Sequence, residues 1–169
     1  MRNRNIVLVG FMGTGKTAVG MALASRLGRE FIELDEIIEK KEGASIREIF
    51  EKKGEPYFRK VEKQVVSDAA EKKGIVISAG GGAIINKENL KNFKKNGLVV
   101  CLEASPEVIV KRTKGLAVRP LLNVPDPRKK IEELLQKRAP YYKKADLCVN
   151  TNVLSIEEVV DKIIALIDS

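Results

Sequence analysis

Gly10-Phe11-Met12-Gly13-Thr14-Gly15-Lys16-Thr17 reads G-x-x-x-x-G-K-T, and its flanks decide the fold. The apolar run Ile6-Val7-Leu8-Val9 leads into it, and a helix-like stretch over 17–27 leads out of it. A strand, a glycine-rich turn and a helix in that order distinguish a phosphate loop from a chance match. The glycines let successive backbone N–H groups turn toward one point, and the positive end of the next helix faces the same point. In such a loop Lys16 reaches the β- and γ-phosphates of a nucleotide, and the Thr17 hydroxyl takes a place on Mg2+.

Outward from this loop the alternation continues. Short β-branched runs at 5–9, 31–34, 75–78, 98–102 and 147–150 are separated by helical patterns. Each run is nearly continuous in apolar residues, as strands buried on both faces are. Strands separated by helices predict an α/β fold: a parallel sheet with helices on both faces, three layers in all. Ser45 with Glu48 and Ser155 with Glu158 have the spacing of capping boxes. Ser105-Pro106 sets a capping serine before a first-turn proline, and Gly28 stands where the first helix stops. Residues 115–126 combine Gly and Pro with no period, which fits a mobile covering loop or a plain surface connection.

The 169 residues suit one domain, 1–169, with a core able to fold by itself. Apolar residues make up 44% and charged ones 32%, an ordinary soluble balance. No uncharged stretch approaches the roughly 18 residues a membrane helix needs. Met1-Arg2-Asn3-Arg4 before apolar residues mimics a signal peptide, but cleavage there would destroy the phosphate loop. A cytoplasmic protein without a membrane partner is expected. Cys101 and Cys148 each lie in a β-like apolar run, as buried structural thiols do. The chain has no histidine, which argues against a zinc site and removes Ser-His-Asp and Cys-His catalysis.

Net charge is +8, and residues 111–144, with eleven Lys/Arg against three acids, hold an excess equal to that of the whole chain. Beside a phosphate loop, polyphosphate and an anionic substrate explain this excess economically. Aromatics are only 5%, too few for the stacking platform of a single-strand binder, so no nucleic acid partner is expected.

Three further constellations bear on chemistry. Phe31-Ile32-Glu33-Leu34-Asp35 ends the second strand, and alternation sets Glu33 and Asp35 on one face. Ligands of parallel sheets gather beyond the carboxyl ends of strands, so these acids could serve Mg2+ and orient an attacking hydroxyl. Asp35 could equally cap a helix over 36–42. Gly80-Gly81-Gly82 closes the third strand; three glycines weaken a strand but permit close backbone approach and free N–H groups for an anion, or simply a tight turn. Arg59, at the opening of a long helix, and Arg138 can each fork onto a planar anion, although a single Arg can also be a solvated surface residue.

Together these pieces resemble shikimate kinases, over nearly the whole chain. The resemblance rests on the 10–17 loop, Asp35, Gly54-Glu55 with Phe58-Arg59, Gly80-Gly81-Gly82, Arg112-Thr113, Arg119-Pro120-Leu121-Leu122 and Lys137-Arg138-Ala139-Pro140-Tyr141-Tyr142. It implies a phosphate-loop fold of the nucleoside-monophosphate-kinase type, with five parallel strands ordered 2-3-1-4-5. It also implies a mobile lid near 113–126 and a substrate region near 35–62. ATP would be held by Gly13, Thr14, Gly15, Lys16, Thr17 and Ala18, with Arg112 against the adenine. Asp35 would hydrogen-bond the shikimate ring hydroxyls, including the attacking one. Arg59, Arg138 and the backbone of Gly80, Gly81 and Gly82 would hold the shikimate carboxylate. Arg119 would swing in with the lid to meet the transferring phosphoryl group.

Two departures stand out. Shikimate kinases usually carry Asp two residues before the substrate Asp, where this chain has Glu33. That acid would reach Mg2+ through water, one methylene longer here. The adenine loop often carries an Arg, whereas Asn150-Thr151-Asn152-Val153 has none, leaving backbone contacts. The expected activity is ATP-dependent phosphorylation of the 3-hydroxyl of shikimate by a monomer. The alternatives are a kinase for another hydroxy-acid or a nucleotide, of gluconate or cytidylate kinase type, and a nucleic-acid-binding ATPase.

Overall fold

The computed structural model describes residues 3–115 and 122–169. Its centre is a sheet of five strands: β1 (Asn5–Val9), β2 (Phe31–Glu33), β3 (Val76–Ser78), β4 (Gly97–Glu103) and β5 (Leu147–Asn150). Their spatial order is β2-β3-β1-β4-β5, as the resemblance implied, and every ladder is parallel. The pleat accounts for the continuous apolar runs. Along β1, Ile6 and Leu8 enter one core while Val7 and Val9 enter the other. Helices α1 (Lys16–Leu27) and α8 (Ile156–Asp168) cover the first face through Val19, Leu23, Val160 and Ile163. The second face is covered by α4 (Glu55–Glu71), α5 (Lys87–Asn96), α6 (Pro106–Thr113) and α7 (Pro127–Tyr142), through Val66, Phe93, Ile109 and Ile131. Each such side chain, fully buried, contributes about 1.5–3 kcal/mol. Two short helices, α2 (Leu34–Glu42) and α3 (Ile46–Lys53), pack on α4 through Ile38, Ile49 and Phe58.

Local chemistry sets the element ends. The capping boxes at Ser45–Glu48 and Ser155–Glu158 both close reciprocally. Ser105 accepts from the Val108 N–H at the start of α6, and Gly28 ends α1 with φ 62°. One boundary differs from the sequence reading and matters for the site. β2 stops at Glu33, which takes the N-cap backbone position of α2 with no side-chain cap bond. The Glu33 carboxylate is instead engaged by Thr17. Asp35 is therefore the second residue of the helix, neither its cap nor a strand residue on the face of Glu33.

A second difference concerns the thiols. Cys101 is buried, as expected, but Cys148 is exposed, because β5 is the edge strand of the sheet. No helix among the described residues is long and apolar enough to cross a membrane.

Candidate active site

The phosphate loop leaves β1 under tight constraint. Gly10 has φ 138°, and a Cβ there would lie 2.3 Å from the Leu102 carbonyl oxygen of β4. Only glycine permits both that backbone and that approach. α1 then starts at Lys16 behind Gly15, with no side-chain cap and no acid in its first turn. The N–H groups of Lys16, Thr17 and Ala18 belong to that first turn, which makes it an anion site. The Lys16 ammonium donates to the carbonyls of Gly10 at 2.9 Å and Phe11 at 3.0 Å, which holds its charge over the loop. Thr14 donates its hydroxyl to the Phe11 carbonyl at 2.7 Å and so braces the turn.

On one side of the loop lies a pair of oxygen donors. The Thr17 hydroxyl donates to Glu33 Oε2 at 2.7 Å. Burial pushes the Glu33 carboxyl up from the usual range; the Thr17 bond and the Lys16 charge oppose that, and the Asp35 charge adds to it. Hydroxyl and carboxylate are the hard donors that Mg2+ selects. The extra methylene of Glu33 thus reaches Thr17 from the end of β2.

On the other side Arg112 joins two loops. Its Nη1 donates to the Gly13 carbonyl at 3.2 Å and the Thr151 hydroxyl at 3.0 Å, and its Nη2 to the Thr151 carbonyl at 2.8 Å. An arginine therefore does stand at the 150–153 loop, supplied by α6. Val153, two residues beyond Thr151 in the same loop, is 91% exposed.

Beyond the ends of β2 and β3 lies a cavity of ≈ 290 Å3, lined by Asp35, Arg59, Glu62, Arg138 and Gly80-Gly81-Gly82. The glycines make room for it. A Cβ on Gly82 would lie 2.5 Å from Arg59 Nη2, one on Gly81 3.2 Å from Arg138 Nη1, and one on Gly80 3.0 Å from Asp35 Oδ1. Arg59 donates through Nη1 to Glu62 Oε1 at 2.9 Å. Arg138, 6% exposed, lies with its Cζ 5.4 Å from the centre of the Phe11 ring. Two guanidinium groups thus converge with two carboxylates and the glycine backbone in one pocket.

The structure brings Asp35, Arg59, Arg138 and the three glycines into this cavity, and Lys16, Thr17 and Glu33 into the adjoining loop. Arg112 lies on the loop's far side. Arg119 and residues 116–121 of the expected lid lie outside the described residues. Sequence reasoning missed Glu62 and gave no role to Tyr142, which it quoted only as part of the resemblance. Glu62 is 2% exposed; burial pushes its carboxyl up against the pull of Arg59. Its i,i+3 spacing from Arg59 on α4 was the available signal. Tyr142, pushed up to about 12 by burial, donates its hydroxyl to the Gly81 carbonyl at 2.7 Å and fixes the glycine turn.

Comparison with known proteins bears on this geometry. A family model described as shikimate kinase matches residues 12–168. A shikimate kinase of Thermodesulfovibrio yellowstonii is 51% identical over 161 residues, covering 95% of this chain and 93% of the relative. One from Caldanaerobacter subterraneus subsp. tengcongensis is 48% identical over 161 residues, covering 95% and 94%. Among solved structures, shikimate kinase from Acinetobacter baumannii in complex with shikimate superposes with a TM-score of 0.94 at 43% identity, covering 97% of this chain and 92% of that one.

Proposed function

The chain belongs to the shikimate kinase family, and on that premise we propose how its residues divide the transfer of a phosphoryl group from ATP to the 3-hydroxyl of shikimate. Gly13, Thr14, Gly15 and the first turn of α1 bind the ATP phosphates, with Lys16 adding its charge. Thr17 and Glu33 would hold Mg2+, which would supply further positive charge for the ATP phosphates. Arg112 flanks the adenine. Asp35 accepts from the attacking hydroxyl and aligns it. Arg59 and Arg138 grip the shikimate carboxylate against Gly80, Gly81 and Gly82. Glu62 keeps Arg59 in place. Arg119 completes the charge clamp from the lid, a role resting on sequence alone. Such a site works mainly by positioning and by neutralising developing charge.

One observation above all supports the reading: two guanidinium groups over a triple glycine, beside Asp35 and next to the phosphate loop. That set fits a small carboxylate bearing a hydroxyl. The same reading takes 1–169 as one kinase domain, a monomer working in the cytoplasm, where ATP is plentiful, with its lid at 113–126 and its substrate region at 35–62. A coupled ADP-release assay with shikimate, gluconate and cytidylate tests the substrate. ADP release is expected with shikimate alone, and comparable turnover of either other compound refutes the assignment. Lys16→Ala should cut turnover about 10²–10³-fold with an unchanged melting curve.

A further inference from the structure

Against the expectation that a chain without histidine holds no zinc site, we propose that Cys101, Cys148 and Glu103 form a binding site for a thiophilic divalent cation, of the Zn2+ or Cd2+ class, on the β4–β5 edge of the sheet. Cys101 and Cys148 are register partners in neighbouring parallel strands, so both side chains stand on the same face. Glu103 lies two residues beyond Cys101 on β4 and returns to that face. The two sulfurs and a Glu103 carboxylate oxygen all lie within 4.8 Å of one another. Tetrahedral coordination with Zn–S bonds of about 2.3 Å needs donors about 3.8 Å apart, a contraction that rotamer adjustment can supply.

The site is held on strands rather than on a loop, so its donors are positioned by the ladder. One donor is buried and two are exposed: Cys101 anchors the ion, while Cys148 and Glu103 leave a path for entry and a position for water. Burial pushes both thiols up, and the Glu103 charge raises each further. A bound cation displaces both thiol protons into solvent, because a coordinated thiol ionises outright. Two sulfurs select a soft ion over Mg2+, whereas the Thr17–Glu33 pair offers only hard oxygen. The two sites thus sort cations by softness within one molecule.

The test uses the full chain, stripped of metal and kept reduced by a phosphine. Titration with Cd2+ alone should raise the ultraviolet thiolate-to-cadmium charge-transfer band to saturation at one equivalent, with release of two protons. Zn2+ should compete, and a large excess of Mg2+ should not. Cys148→Ser, at an exposed position, should leave the melting curve and shikimate phosphorylation unchanged while weakening Cd2+ binding by at least about tenfold, the lower bound for loss of even an outer-sphere partner. Glu103→Gln should weaken it while leaving the band in place. No band at stoichiometric Cd2+, equal affinity in Cys148→Ser, or displacement by Mg2+ would each overturn the proposal.

Discussion

Asp35 shows how backbone position narrows what a side chain can do. It is the second residue of α2, so the helix is not started by its carboxylate. Asp35→Asn is expected to lower kcat about 10²–10⁴-fold in the ADP-release assay, the usual weight of a positioned proton acceptor. Its Tm should change by no more than about 4 °C, since a charge near a helix start is worth only about 0.3–1 kcal/mol. Gly82 is a different case. An added Cβ would meet the guanidinium end of Arg59, not the backbone. Gly82→Ala should therefore displace Arg59 and raise the KM for shikimate about ten- to a hundredfold, as losing a charged hydrogen bond does. The KM for ATP should stay constant. Glu62 adds a pH dependence. Its folded-state affinity for a proton is raised, so its contribution to stability is present below the ordinary carboxylate range and fades as pH rises through the raised value. Melting curves from about pH 4 to about pH 7 should show the parent losing stability relative to Glu62→Gln as pH rises. Residue identity singled out Arg59, Arg138 and Asp35, which line one cavity, because only a few side chains suit planar anions and hydroxyls. Glu62 stayed hidden because an acid three residues from an arginine looks the same on any solvated helix.

At the scale of elements, what could be read depended on whether the signal was local. Capping boxes, the phosphate loop and the Gly28 stop each involve neighbours within a turn, and all formed as their spacing predicts. The β2–α2 junction did not: the strand ends at Glu33, whose carboxylate accepts from Thr17, sixteen residues away, and Leu34 already belongs to α2. The exposure of Cys148 was also illegible. An apolar run shows that a strand forms, but not that it will be the edge of the sheet. The α8 cap offers a clean check of local energetics. Ser155→Ala removes the acceptor for the Glu158 N–H at a point with no assigned catalytic group. It should cost about 1 kcal/mol, or about 2–4 °C in Tm for a chain of this size, with kcat unaltered. A drop in kcat equal to that of a site variant would mean that α8 helps hold the nucleotide loop.

On the proposed function, two half-sites meet at the carboxyl ends of one parallel sheet. The proposed nucleotide half stands on β1 and α1, and the proposed acceptor half on the glycine turn after β3 and on α2, α3, α4 and α7. That both would lie at this end was legible in the sequence, because parallel strands point their ends, and hence their loops, the same way. The basic excess of 111–144 was legible as a sum; the structure separates its members. Arg112 lies against the phosphate loop and Arg138 lines the cavity, while Arg128 pairs at the surface with Glu132 at 3.1 Å. Because the halves are built from different elements, their ligands should stabilise the protein separately. ADP or shikimate, each at a hundred times its Kd, should add about 2.7 kcal/mol, raising Tm by about 5–10 °C. In a variant carrying Arg59→Lys and Arg138→Lys, both charges remain but the planar forks are lost. There the shikimate increment should vanish at the same concentration while the ADP increment persists in full. Loss of both increments would show that the two arginines support the phosphate loop as well, and that the half-sites are one cooperative unit rather than two.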